Sequence, residues 1–130
     1  MNILLLAARE AQNASYSQYS GFKVGAAVIG GSGAVYTGCN IENASYGLTV
    51  CAERVAIFSA IAAGETSIKE VAVTCQGNGA NPPENSLMPC GACRQVMVEF
   101  CTADTKIRID GIGSPYLGDL MPKPFKLGEF

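Results

Sequence analysis

From Asn2 to Ala14 apolar and polar residues alternate at helical spacing, which predicts a first helix. Asn13 to Gly21 is rich in Ser, Tyr and Asn and reads as a loop. Phe22 to Ile29 is a short apolar, β-leaning run. The turn Gly30-Gly31-Ser32-Gly33 follows, then a second strand from Ala34 to Cys39, so the pair predicts a hairpin. Asn40 to Leu48 is polar and irregular. Thr49 to Ala63 predicts a helix carrying Val55, Ile57, Phe58 and Ile61, with alanines between and Gly64 as its stop. Ile68 to Thr74 is a β-branched run that predicts a buried strand. Gln76 to Pro89 has Gly, Asn and Pro throughout and reads as a long loop, a feature more often functional than idle in a small domain. Gly91 to Phe100 predicts a helix and Lys106 to Ile109 a short strand. One helical turn is expected around Tyr116 to Met121, before Pro122 and Pro124 end it. The order helix, hairpin, helix, strand, helix, strand predicts a mixed sheet covered by helices, an α/β layer fold.

Composition narrows the picture. The 130 residues suit one compact domain, 1–130, with 48% hydrophobic and 15% charged residues, enough apolar material for a core. A net charge of −2 provides no basic field for a nucleic-acid polymer, while a neutral nucleoside needs none. No apolar run is long enough to span a bilayer. The apolar start, Met1 to Ala8, lacks a basic leader and is interrupted by Arg9 and Glu10, so it reads as the opening of a helix in a cytoplasmic protein and not as a signal peptide. In that compartment six cysteines are expected to be thiols or metal ligands, not disulfides. Histidine is absent, which removes His-based acid–base catalysis, Ser-His triads and His metal ligands.

The chemistry concentrates in two short segments. Pro89-Cys90-Gly91-Ala92-Cys93 places a C-x-x-C where a loop turns into a helix, and exposed N–H groups at a helix N-terminus favour thiolates. Alone, that pair is also compatible with a redox disulfide, half of a structural zinc site, or two ordinary buried cysteines. Cys51-Ala52-Glu53 stands at the start of the other strong helix. Three thiolates occupy three corners of a zinc tetrahedron and leave one open, the pattern of a catalytic site and not of a closed structural one. Glu53, two positions from Cys51, can stand beside such a metal and exchange protons with water; the bland reading is a solvated first-turn glutamate.

With these segments in view, the chain resembles the small homotetrameric cytidine deaminases. The resemblance covers nearly the whole length and rests on 19–27 (YSGFKVGAA), 38–47 (GCNIENASYG), 49–54 (TVCAER) and 89–95 (PCGACRQ). It implies a three-layer helix/mixed β-sheet/helix sandwich and one Zn2+ per subunit on Cys51, Cys90 and Cys93. It further implies Glu53 as the catalytic proton shuttle and Arg54 as a hydrogen-bond donor to the zinc thiolates. Phe22 then packs against the pyrimidine, Asn40 and Glu42 hold the ribose hydroxyls, and Ala52 belongs to the substrate site. Ala44 and Tyr46 lie in a segment that reaches a neighbouring subunit's site, and Phe125 matches an aromatic that closes over a neighbour's base. The implied activity is hydrolytic deamination of cytidine and deoxycytidine in pyrimidine salvage. Two regions depart from the family pattern: the loop 75–88 is long and lacks an acidic turn, and 109–117 is short, as if a fifth strand were truncated. Cys39, Cys75 and Cys101 are expected to be reduced structural thiols. A related deaminase of a cytosine-containing antibiotic, a structural zinc module and a C-x-x-C redox protein remain as rivals.

Overall fold

The computed structural model describes residues 2–76 and 82–128. Its elements are α1 (Ile3–Ala11), β1 (Lys23–Gly30), β2 (Val35–Cys39), α2 (Ala52–Ala62), β3 (Ile68–Gln76), α3 (Gly91–Phe100), β4 (Lys106–Ile109) and α4 (Leu117–Leu120). All the elements expected from sequence are present, and α3 and β4 have the expected bounds. The second helix begins later than its apolar pattern suggests. Val50 is drawn into an extended bridge with Ile41, so α2 starts only at Ala52, with Cys51 as its N-cap. Part of the expected long loop, 77–81, lies outside the described residues; the remainder contains a single 3-10 turn, Glu84–Leu87.

The four strands form one sheet in the order β2-β1-β3-β4. β1 pairs antiparallel with both β2 and β3, whereas β3 and β4 are parallel. Alternation along the strands splits the core in two. Ala26, Val28, Val71, Val73, Ile107 and Ile109 face α2 and α3, where they pack with Ile57 and Met97. Ala27 and Ala72 face the opposite way, onto Leu4 and Ala8 of α1. The result is the expected three-layer arrangement, with α1 on one face of a mixed sheet and α2 and α3 on the other.

Two glycines set how closely the layers approach. A Cβ at Gly25 would stand 2.0 Å from the Ala8 carbonyl oxygen of α1. One at Gly38 would stand 2.5 Å from the Ala56 backbone nitrogen and 2.7 Å from the Ala52 carbonyl oxygen of α2. Each helix therefore rides directly on strand backbone. After β4 the chain folds back without forming a fifth strand among the described residues. Only isolated bridges, Ile109 to Gly113 and Lys106 to Tyr116, run along β4, and Pro115 lies between them.

Candidate metal centre and substrate cavity

Topology brings the distant cysteines together. β2 and β3 run in the same direction, since each is antiparallel to β1, and α2 and α3 follow them in the chain. Both helices therefore begin at the edge where β2 and β3 end, the usual location of sites in open α/β sheets. Cys51 is the N-cap of α2 and Cys90 the N-cap of α3, while Cys93 lies in the first turn of α3. Neither N-cap thiol makes a side-chain capping bond. They face each other instead.

The Cys51 and Cys90 Sγ atoms are 3.8 Å apart, and those of Cys90 and Cys93 are 3.5 Å apart. All three lie within 4.8 Å of one another. Sulfurs on a tetrahedral zinc at ~2.3 Å would be separated by about 3.8 Å. The donor set and its spacing thus fit zinc, with three thiols supplying three of the four tetrahedral positions. No disulfide joins them, and Cys39, Cys75 and Cys101 are also free thiols.

Hydrogen bonds from its neighbours favour the thiolate form of Cys51. Its thiol is pulled down to about 5, chiefly by the hydrogen bond from Cys93, with further donation from Arg54 and Cys90. Cys93 is pushed up by that same bond and by burial. The Arg54 guanidinium donates to Cys51 Sγ at 3.6 Å, while its own Nε is buried without a partner. Glu53 is only 4% exposed, and burial first, then the nearby Cys51 charge, pushes its carboxyl up to about 7.

Cys51, Glu53 and Cys90 open into a cavity of about 210 Å³. Phe22 and Val24 at the start of β1, Asn40 after β2 and Cys75 near the end of β3 form its walls. Asn40 is buried and braces that wall. Its Nδ2 donates to the Phe22 carbonyl at 2.7 Å, and its Oδ1 accepts from the Val24 N–H at 3.0 Å and from the Ser15 hydroxyl. Glu42 lies in an adjoining depression with Tyr19, Ser20, Tyr46 and Thr49. Its carboxylate accepts from the Tyr19 and Ser20 N–H groups, both at 3.1 Å, and from the Ser20 hydroxyl, which holds it below the usual carboxylate range.

The other expected site residues are dispersed. Ala52 has a fully buried side chain on α2. Ala44 is exposed, and Tyr46 is exposed with its ring edge-on to Tyr19, centroids 6.5 Å apart. Phe125 is not among the residues lining the cavity; its carbonyl accepts from Gln95 Nε2 at 3.2 Å and the residue is largely exposed. Conversely, the cavity includes Thr49, Val73, Cys75 and Ser86 to Met88, which sequence reasoning did not assign to it. For Val73 and Cys75 a signal existed, because Val71, Val73 and Cys75 alternate onto the face that carries α2 and α3.

Comparison with known proteins agrees with this geometry. The family model for the cytidine and deoxycytidylate deaminase zinc-binding region matches residues 2–108. A cytidine deaminase of Halalkalibacterium halodurans is 46% identical over 118 residues, covering 91% of this chain and 79% of that protein. One from Mycobacterium tuberculosis is 41% identical over 130 residues, covering 98% and 91%. The crystal structure of the M. tuberculosis cytidine deaminase superposes with a TM-score of 0.83 at 40% identity, covering 97% of each chain. That of Burkholderia pseudomallei gives 0.81 at 42% identity, covering 96% of this chain and all of that one. A buried carboxylate beside a three-thiol metal corner on an α/β sandwich defines a class of zinc-dependent hydrolases. Within it, this chain belongs to the cytidine and deoxycytidylate deaminase family.

Proposed function

We propose that this chain hydrolyses the C4 amino group of cytidine and deoxycytidine, giving uridine or deoxyuridine and ammonia, as a step of pyrimidine salvage. The observation that carries the reading is Glu53, buried beside the Cys51–Cys90–Cys93 corner and lining the same cavity. Those three thiolates would hold one zinc ion. Bound zinc supplies a Lewis acid that makes water nucleophilic at neutral pH.

Glu53 handles the protons. Its carboxylate takes one from the attacking water and delivers it to N3 as oxygen bonds to C4. It then takes the remaining hydroxyl proton and passes it to the amino nitrogen. The C4–N bond breaks, ammonia leaves and the carbonyl of uridine remains. With no histidine in the chain, no imidazole competes for this role. Arg54, donating to Cys51, offsets the net negative charge of three thiolates on a divalent ion.

Phe22 offers an apolar wall for the pyrimidine. Ala52, whose side chain is buried, would contact the base through its backbone. Asn40 and Glu42 would hold the ribose hydroxyls; their support is placement and rigidity, since protein hydrogen bonds already fix both side chains. A fixed carboxylate there also disfavours a phosphate and so favours nucleosides. Ala44, Tyr46 and Phe125 are exposed, which suits residues that complete the cavity of a neighbouring copy in a homotetramer. The chain would act as a single domain, 1–130, in the cytoplasm, without nucleic-acid or membrane partners; no helix among the described residues is long and apolar enough to cross a bilayer.

The test is conversion of cytidine to uridine by purified protein, with Glu53→Ala assayed beside it at matched zinc content. Conversion that collapses in the variant supports the whole scheme. A folded, zinc-loaded wild type that leaves cytidine untouched overturns it.

A further inference from the structure

We infer that Arg94 is a positioning residue for the metal corner, clamping the turn that aims Cys90 and tying it to the C-terminal segment; this rests on the zinc reading above. The three thiols are not held equally. Cys93 is fully buried inside the first turn of α3, and Cys51 is half-buried and bonded by Arg54. Cys90 is exposed and sits at the N-cap, where helix packing does not fix its direction. Its Cα–Cβ bond points where the preceding peptide plane sends it.

Two constraints act on that plane. The Pro89 ring, fully buried, locks the residue's φ. Its ψ is left to the carbonyl, and that carbonyl accepts from Arg94 Nε at 2.8 Å. Arg94 therefore removes the remaining freedom upstream of Cys90. Its other arm reaches away from the metal corner, with Nη1 donating to the Leu120 carbonyl at 2.9 Å. Leu120 is the last residue of α4, so this oxygen is one that the helix itself leaves unpaired. A planar guanidinium can span two carbonyls on different segments at fixed geometry, which an ammonium cannot reproduce. The adjacent Gln95 extends the attachment to the Phe125 carbonyl. The metal helix and the tail thus meet at Arg94 and Gln95.

Arg94→Lys keeps the charge but not the two-carbonyl span. We expect it to fold with an unchanged far-ultraviolet spectrum and to bind one zinc per chain. It should release that zinc to excess chelator about tenfold faster or more, the usual cost of losing a group that orients a ligand. The visible bands of the cobalt-substituted protein should shift, because they report thiolate geometry independently of activity. Asp119→Ala approaches the clamp from its far end. The Asp119 carboxylate accepts the Tyr116 N–H at 3.0 Å and caps α4, so its loss loosens the Leu120 carbonyl without touching Arg94. This variant should also speed release, and the double variant should release no faster than Arg94→Lys alone.

Unchanged release and an unshifted cobalt spectrum in Arg94→Lys overturn the inference, as does additivity in the double variant. Should Arg94→Lys fail to fold, Asp119→Ala decides, and wild-type release from it overturns the clamp. A wild type that takes up no zinc overturns both this inference and the deaminase reading. A wild type that holds zinc and deaminates cytidine, with Arg94→Lys holding zinc equally well, overturns the clamp alone.

Discussion

At the residue scale, the division of labour between thiols and carboxylate is open to direct test. Glu53 stands beside the cysteines but is not one of the three grouped donors. Glu53→Ala should therefore keep about one zinc per chain while turnover falls by roughly 10²–10⁴, the usual contribution of a positioned acid–base group. Cys93→Ala should do the reverse and fail to retain zinc, because the buried member of the triad cannot be replaced by solvent. Metal analysis alongside turnover separates the two; loss of zinc from Glu53→Ala would make the glutamate a ligand and not a proton carrier. These four residues were legible in the sequence because their signals are local, a C-x-x-C and a C-x-E at two helix starts. Ser86 to Met88 were not, since nothing in their own pattern says that they line the cavity with Glu53. Asn40 was placed in the site by resemblance, but its bonds to Phe22 and Val24, which make it a brace of the cavity wall, have no sequence signature.

At the element scale, the two faces of the sheet answer to different helices. Helix α2 was recognisable from its apolar content, but which of its faces is buried was not. Apolar residues surround it: Ala52, Ala56, Ile57 and Ala60 enter the core, whereas Phe58 is 48% exposed. The tight contact at Gly38 explains how α2 is nonetheless fixed in position. A methyl group there would collide with backbone atoms of the helix turn that carries Glu53, and backbone cannot rotate away. Gly38→Ala should destabilise the fold by about 1–3 kcal/mol and also displace the metal corner. Gly25→Ala meets α1 on the opposite face, so it should cost comparable stability while leaving the cobalt spectrum of the thiol site unchanged. Denaturant midpoints and cobalt spectra of the two variants check this. Equal spectral shifts in both would mean that the layers do not act separately.

At the scale of the whole molecule, one unburied surface and one ion-paired knot make distinct demands. Ile41, Leu48, Val50, Val55 and Phe58, alongside Glu42, Asn43 and Ser59, line a shallow, mainly apolar depression of about 420 Å³ on the outer side of α2. Exposed apolar surface of this kind suits the chain–chain contact that the proposed homotetramer requires. If the proposed homotetramer forms through this surface, Phe58→Glu lowers the mass in solution below that of the wild type, and light scattering on the two proteins reads it directly. A monomeric wild type would remove the neighbour's contribution from the proposed site.

The knot lies on the other side of the sheet, at Asp110, just beyond β4. Arg9 of α1 grips its carboxylate with two hydrogen bonds of 2.7 Å, and the Thr74 hydroxyl of β3 donates at 2.8 Å. The bond from Arg9, followed by that from Thr74, holds the Asp110 carboxyl below the usual aspartate range. A carboxyl depressed in the folded state is protonated first in the unfolded chain. Its stabilising contribution is therefore complete above the unfolded value of about 3.9 and disappears as pH falls through the folded value. Asp110→Asn removes the charge at every pH. The variant should melt below the wild type at pH 7, and the gap should close below about pH 4. Acid also protonates other carboxylates and the zinc thiolates, but those losses act on both proteins and cancel in the difference. The gap should also narrow in high salt, since Arg9 is partly exposed. Melting temperatures of the pair from pH 7 to pH 3 decide the matter: a gap that stays constant across that range would show that the Arg9–Asp110 contact stabilises the molecule by shape alone and not by charge.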